Sequence, residues 1–310
     1  MILVTGATGF VGRVLLPRLM EGGWEVRCLV RPSKRSPRLP SGVPVELTIG
    51  SLNDPRVLRS ALAGVDTVIH LAGAEWRGLH GDLLTLDVHG TRALVDAARE
   101  AGVSRFLFLS HLGADRAAGY PVLKAKGIAE EFIRQSGVPH TIFRSALLYG
   151  PEDRFINVVA LIVRLGPGFF LLPGEGRTAL QPLSVDDLAT CMEWSLNDPA
   201  SLNQTLALGG PEIITLRQLF ELVMEKLGRR RYVLSASPVF LRWTAWLFEQ
   251  TLPRSPITSR WLDHLAVNRI CELTSVTRYF GLKPARLEQN LGFINGKRWW
   301  PELSRLMGGI

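Results

Sequence analysis

The sequence predicts an α/β fold: a doubly wound parallel sheet followed by a smaller, mostly helical C-terminal region. Three observations predict it. A short β-branched apolar run at the start leads through a glycine-rich turn into a helix-periodic segment. Strand-like and helix-like stretches then alternate as far as Arg144, which is the pattern of a parallel sheet. The chain has 310 residues and 46% hydrophobic content, enough for such a domain with a smaller unit appended.

The first strand is Ile2 to Val4, and the first helix carries Val14, Leu15, Leu16 and Leu19 on one face. Between them lies Thr5-Gly6-Ala7-Thr8-Gly9-Phe10-Val11-Gly12, a GxxGxxG spacing rather than GxGxxG. In a strand–turn–helix context, Gly6 permits the tight turn, Gly9 lets backbone approach a pyrophosphate, and Gly12 lets the helix lie close on the strand. The new helix offers free N–H groups and a positive dipole end to phosphate. Gly6, Thr8, Gly9, Phe10, Val11 and Gly12 are therefore the expected diphosphate side of a dinucleotide site in a Rossmann core.

After Gly22-Gly23 the second strand, Trp24 to Val30, ends at Arg31 with no acid beside it; Ser33, Lys34 and Arg35 follow. An acid here would accept from a ribose 2′-OH, whereas arginine suits a 2′-phosphate, so NADP(H) is expected over NAD(H). The alternative for Lys34 and Arg35 is a Pro-rich loop, Pro32 to Pro44, that touches only water. Val43 to Ile49 reads as strand three, with Ser51 and Leu52 at its end on the cofactor side. A helix from Pro55 to Ala63 follows. Strand four runs from Asp66 and ends in Leu71, Ala72 and Gly73, small enough to let backbone pass close to a ribose. Asp82 to Ala101 reads as one helix, Ser104 to Ser110 as strand five, Tyr120 to Ser136 as a helix and Pro139 to Arg144 as strand six. Parallel sheets bind ligands beyond the carboxyl ends of their strands, which puts Gly6 to Val11, Arg31, Leu71 to Gly73, Ser110 and Arg144 on one rim.

Those rim motifs resemble the short-chain dehydrogenase/reductase superfamily, of its extended or atypical, epimerase/dehydratase-like kind, over roughly residues 1–210. The matching pieces are TGATGFVG at Thr5 to Gly12, HLAG at His70 to Gly73, Phe106 to Ser110, a Tyr-x-x-x-Lys pair at Tyr120 and Lys124, Phe143-Arg144-Ser145 with Tyr149-Gly150-Pro151, and Gln181 to Asp187. Residues i and i+4 share a helix face, and a nearby ammonium favours the phenolate, making tyrosine a usable acid or base. The resemblance implies that Tyr120 exchanges a proton with substrate, that Lys124 also holds the nicotinamide ribose, and that Ser110 orients a carbonyl. A second register stays open: in the Tyr-x-x-x-Lys-Gly-x-x-Glu frame of atypical members the lysine is Lys126, followed by Gly127, and Val122 takes the tyrosine position. Other candidates carry less. His111 beside Ser110 suits a substrate or structural contact, and the six histidines have no metal spacing, so no metal site is expected. Asp186-Asp187 suits the start of a helix. Cys28, Cys191 and Cys271 are too dispersed for a disulfide or zinc framework.

The chain divides into a dinucleotide-binding core at 1–150, interleaved core and substrate-side segments at 151–228, and a basic, Trp-rich helical region at 229–310. Helices are expected over Asp153 to Leu165, Ser184 to Leu196 and Thr215 to Leu227, the last capped by Thr215, with a strand at Gln204 to Leu208 and a loop at Gly166 to Gly176. Arg144 to Gly150 and Phe169 to Arg177 are the expected substrate side. They are largely apolar, which argues against a nucleotide-sugar substrate and for a small apolar carbonyl compound. The whole net charge of +8 lies in residues 229–310, which hold 13 basic and 5 acidic residues. Five of the eight tryptophans lie there too, and Pro238 to Leu252 is apolar nearly all round its helix. Such a region suits a membrane surface or a membrane-complex partner, or else a small helical bundle on the main domain; no nucleic-acid motif accompanies it. With Thr274 to Pro284, this tail is similar to the C-terminal part of the nucleotide-binding accessory-subunit family of respiratory complex I and its bacterial relatives. That similarity implies bound NADP(H), held structurally. No twenty-residue uncharged apolar run exists, and the first strand begins at Ile2, so neither a spanning helix nor a signal peptide is expected. Two functions follow: an NADP(H)-dependent oxidoreductase or isomerase, cytoplasmic or peripheral to a membrane, or a non-catalytic cofactor-bound assembly, accessory or sensor protein.

Overall fold

The computed structural model describes residues 1–32, 39, 40, 42, 44–76, 81–166, 168–251 and 258–295. Ser33, Lys34, Arg35, Trp299 and Trp300 lie outside them. Seven parallel strands form the central sheet: β1 (Ile2–Thr5), β2 (Val26–Val30), β3 (Glu46–Ile49), β4 (Thr67–His70), β5 (Arg105–His111), β6 (His140–Ser145) and, after intervening short strands, β11 (Gln204–Leu208). Their order is β11-β6-β5-β4-β1-β2-β3. The order reverses between β1 and β4, so connections leave the two strands in opposite directions and open a crevice at their carboxyl ends.

Both sheet faces are covered, and β1 and β2 are buried along their whole length, whereas the edge strand β3 is largely exposed. Helices α1 (Phe10–Glu21) and α6 (Val185–Ser195) pack on one face around Leu15, Leu16, Leu19, Val26, Ile69, Phe143, Leu188 and Met192. Helices α2 (Pro55–Leu62), α3 (Gly90–Glu100) and α4 (Pro121–Gln135) cover the other, around Leu3, Leu58, Leu62, Val68, Leu94, Phe106, Phe108 and Ile133. Local chemistry sets the helix starts. The Asp54 carboxylate accepts from Arg56 N–H ahead of Pro55, and Ser184 Oγ accepts from Asp186 N–H.

A second apolar core lies beyond the sheet edge. It gathers α5 (Phe155–Leu165), α7 (Leu216–Lys226), α8 (Pro238–Thr251), α9 (Ser259–Ala266) and α11 (Leu287–Asn290) around Phe155, Ile156, Val159, Phe170, Phe220, Trp261 and Leu287. Thr215 and Gln218 form a reciprocal capping box that starts α7, as the sequence indicates. Helix α10 (Ser275–Phe280) returns to the main sheet, where Val276 is buried.

Three two-stranded pairs tie the halves together: β7 (Leu148–Tyr149) with β10 (Leu183–Ser184), β9 (Ala179–Leu180) with β12 (Ile214–Thr215), and β8 (Phe169–Pro173) with β13 (Tyr232–Ala236). The last pair corrects two expectations. The segment read as a loop from Gly166 contains β8, and the C-terminal region, read as helical, opens on a strand. The two strands are 63 positions apart in register, Tyr232 beside Phe169, so neither reveals its partner locally. The single helix expected over Asp82 to Ala101 is instead a π-helical stretch, Leu84–His89, continued by α3.

Candidate dinucleotide site

The β1–α1 corner is built by close approach. Gly6 has φ +76°, and a Cβ there would lie 2.6 Å from both Ala72 N and Leu71 C. A Cβ on Gly12 would lie 2.6 Å from Gly6 O. Gly9 is the N-cap of α1 in extended conformation; no side chain caps this helix, and its first turn holds no acid. The leading N–H groups and the positive helix end therefore face outward without a carboxylate to occupy them. This cradle of bare backbone, which any side chain at Gly6 or Gly12 would fill, fits a diphosphate.

Around it, Thr8 and Phe10 are half-buried and Val11 is buried. Arg31 is exposed just past the end of β2. Ser51 is exposed and Leu52 buried, while Leu71 and Ala72 are half-buried and Gly73 exposed at the end of β4.

His70, the first residue of the HLAG motif, is a structural pin. Thr91 Oγ1 donates to the Asp87 carbonyl (2.6 Å), so it accepts from His70 Nε2–H (2.9 Å); Thr5 Oγ1 then donates to His70 Nδ1 (2.6 Å). The imidazole is thereby neutral and ties β1, β4 and α3 together. Burial, helped by the charge of Lys126, pushes its pKa down to about 3.

Helix α4 gives the two lysines different surroundings. Lys126 is buried, with Nζ 3.3 Å from Asp87 Oδ1 and 4.9 Å from the centroid of the Phe108 ring. The π-helical stretch brings Asp87 in, and the other carboxylate oxygen accepts from Ala74 N–H at 2.8 Å. A Cβ on Gly73 would meet Asp87 Oδ1 at 2.9 Å and Lys126 Nζ at 3.6 Å, which sets this ammonium at the carboxyl end of β4. Lys124 is exposed, as its offset of two residues, about 200° around the helix, requires. Tyr120 is the half-buried N-cap of α4, directly before Pro121.

Ser110 is fully buried, and its hydroxyl donates to Glu130 Oε1 at 2.6 Å. Glu130, also fully buried, accepts from Arg144 Nε (2.9 Å) and Nη2 (2.7 Å) and from Arg134 Nη2 (2.5 Å). Arg144 donates further to the Ala114 carbonyl (2.9 Å), and its bonds to Glu130 hold its pKa above the ordinary guanidinium value. Two residues assigned from sequence to substrate and cofactor, Ser110 and Arg144, thus converge on one buried carboxylate between β5, β6 and α4.

Sequence reasoning singled out His111 but missed Glu75, Arg154, Arg260 and Arg269 near it. His111, next to Ser110 and so on the other side of the pleat, lies with Nε2 2.8 Å from Glu75 Oε2. Arg260 of α9 donates to the carbonyls of Ala74 (3.2 Å) and Gly81 (2.5 Å), and Arg154 to that of Trp76 (2.7 Å). Arg269 is buried with Glu75 and Asp263 as its opposing charges, and burial lowers its pKa. The basic bias of the tail was the one sequence signal for Arg260 and Arg269; which groups they reach depends on the fold.

Comparison with known proteins agrees with this geometry. A family model described as NAD(P)H-binding matches residues 6–160. The mitochondrial NADH dehydrogenase (ubiquinone) 1 alpha subcomplex subunit 9 of Arabidopsis thaliana is 32% identical over 249 residues, covering 76% of this chain and 60% of that protein. This chain therefore matches less than two thirds of that relative's length. The photosystem II assembly factor Ycf39 of Guillardia theta is 28% identical over 254 residues, covering 81% of this chain and 78% of that protein. Among solved structures, the NADPH-dependent quinone oxidoreductase QOR2 of Escherichia coli, complexed with NADPH, superposes with a TM-score of 0.76 at 18% identity, over 93% of this chain and 98% of that one. This last likeness concerns the fold.

Proposed function

The chain belongs to the NAD(P)H-binding family, and from that premise we propose that it is a cofactor-loaded accessory or assembly protein of a membrane complex, without turnover of its own. One observation carries the reading. The Ser110 hydroxyl, which would orient a substrate carbonyl, is committed at 2.6 Å to the buried Glu130 that also holds Arg144. Lys124 is exposed, and the close-packed cradle at Gly6 to Gly12 supports cofactor binding more directly than turnover. The relatives named above, a respiratory-chain subunit and a photosystem assembly factor, support the same reading.

The bare N-terminus of α1 would take the diphosphate, Lys126 the nicotinamide-side ribose, and Arg31 a 2′-phosphate. With no acid at the end of β2, we infer a preference for NADP(H) over NAD(H). A bound nicotinamide dinucleotide supplies hydride chemistry where a substrate and a proton donor meet it; here the surrounding residues hold and enclose it. The docking surface would be residues 229–310, leaving the protein peripheral to the membrane on its cytoplasmic side. Among the described residues no helix is long and apolar enough to cross a membrane.

Native mass spectrometry of the purified full chain tests this reading. The expected result is co-purifying NADP(H), with Arg31→Ala weakening NADP(H) about tenfold relative to NAD(H), the loss of one charge-assisted contact. Oxidation of NADPH by small carbonyl compounds should stay at background. Turnover by the wild type that Tyr120→Phe abolishes would overturn the non-catalytic reading and restore the oxidoreductase or isomerase. A specific observation favours that second reading: a histidine and a carboxylate, His111 and Glu75, meet at 2.8 Å next to Ser110.

A further inference from the structure

We propose that the outer face of α8 is a lipid-contact surface, on which the protein lies against an anionic bilayer at the boundary between headgroups and acyl chains. The proposal builds on the docking reading above and names the surface and its occupant.

The helix is inside out for one in water. Positions Val239, Phe240, Trp243, Trp246 and Leu247 follow the i, i+1, i+4, i+7, i+8 spacing of a single helix face, and all five are exposed; Trp243 is 58% and Trp246 48% accessible. The opposite side, which meets the rest of the protein, carries the polar groups. Glu249 is buried and accepts from Ser259 Oγ at 2.7 Å, Arg242 forms an ion pair with the buried Asp263 of α9, and Ala245 packs between them. A surface helix normally turns its charges outward and its aromatic residues inward. This one uses its charges to fasten itself to α9, and the side chains it exposes are mostly apolar.

Positive charge precedes the apolar face in the chain, on the far side of β13. Lys226, Arg229 and Arg230 are exposed on the segment leading into β13. β13 in turn presents Tyr232 at 81% accessibility and Leu234, with Phe169 exposed beside Tyr232 across the β8–β13 pair. Tryptophan, tyrosine and phenylalanine flanked by arginine and lysine match an interface of apolar chains under anionic headgroups. The rings insert shallowly and the cations pair with phosphate. Fourteen residues make a helix about 21 Å long, suited to lying in the interface and too short to span it. The basic flank is what selects a bilayer over a second copy of this chain, whose own surface here would bring like charges together.

The test is flotation of the full-length protein with phosphatidylcholine vesicles, with and without 30% phosphatidylglycerol, read together with tryptophan emission and with retained NADP(H). The expected result is at least tenfold more protein on anionic than on neutral vesicles, with a blue-shifted emission. Trp243→Ser/Trp246→Ser should cut binding at least tenfold, and Arg229→Gln/Arg230→Gln should remove the anionic preference. Both variants should keep the wild-type circular dichroism and cofactor content. Equal flotation of wild type and variants overturns the proposal. So does a wild-type dimer in analytical ultracentrifugation that the tryptophan variant dissociates, which would assign the face to a second copy. So does vesicle indifference with retention on the purified membrane complex alone, which would assign it to a protein. In each case a normal cofactor content leaves the dinucleotide reading standing; cofactor loss in the wild type would strike that reading instead.

Discussion

Helices α1 and α8 bury opposite kinds of surface. The first sinks Val11, Leu15, Leu16 and Leu19 into the sheet and leaves Glu21 in water. The second sinks Ala245 and Glu249 and leaves two tryptophans in water. The sheet half pairs even a carboxylate as deeply placed as Glu130 within its own chain. The C-terminal region buries Glu249 and pairs Arg242 with Asp263, yet leaves Trp243 and Trp246 exposed.

The largest effect that could break this contrast is at Glu130. Replacing it with Ala removes the partner of Ser110, Arg134 and Arg144 and should cost about 3–5 kcal/mol in urea unfolding, the usual penalty for breaking a buried charge cluster. A cost near zero would mean the sheet half does not depend on that carboxylate. Next comes the corner. Gly6→Ala places a Cβ against Ala72 and Leu71 at a positive φ, a strain of about 1–2 kcal/mol before any clash. Dinucleotide affinity measured by calorimetry should fall at least about tenfold.

The His70 pin predicts a smaller, pH-dependent effect. Its folded pKa is depressed to about 3 from an ordinary 6.5, so between those values the unfolded chain takes up a proton that the folded chain refuses. Its contribution is complete above pH 6.5 and is lost as pH falls, at ~1.4 kcal/mol per pH unit. Urea midpoints at pH 7 and pH 5 should therefore diverge more in the wild type than in His70→Gln. The smallest effect belongs to α8. Trp243→Ser/Trp246→Ser should change the melting free energy by no more than about 0.5 kcal/mol per site, as for exposed positions. A loss of several times that would show the rings to be packed, and would dissolve the contrast with α1.

Sequence and structure agree most closely where neighbours in the chain are neighbours in space. The β1 strand, the glycine turn, the order of strand and helix through β6 and the Thr215 cap all rest on local periodicity and local hydrogen bonds. Disagreement begins where one residue of phase matters. Ser110 and His111 are adjacent, yet the pleat sends one to Glu130 and the other to Glu75. Lys124 and Lys126 differ by two positions, and only the second reaches Asp87. No motif fixes such a phase, because it depends on how far Pro121 sets the start of α4 from the end of β5. Long-range pieces were the least legible: β8 with β13, and Arg260 on the carbonyls of Ala74 and Gly81, join segments that carry no mark of each other.

The backbone of Ala285 is clasped on both sides. Its N–H donates to Asp187 Oδ2 at 2.8 Å, its carbonyl accepts from the Tyr149 hydroxyl at 3.2 Å, and two residues on, Leu287 N–H donates to Glu212 Oε1 at 2.9 Å. A chain truncated ahead of this clasp would uncover an acid and a phenol that the fold has already taken out of water. The C-terminal region is accordingly no detachable appendage. Anyone grafting a foreign anchor onto this scaffold should exchange residues 238–251 alone and leave the stretch through Leu287 as the latch that keeps the transplant in place.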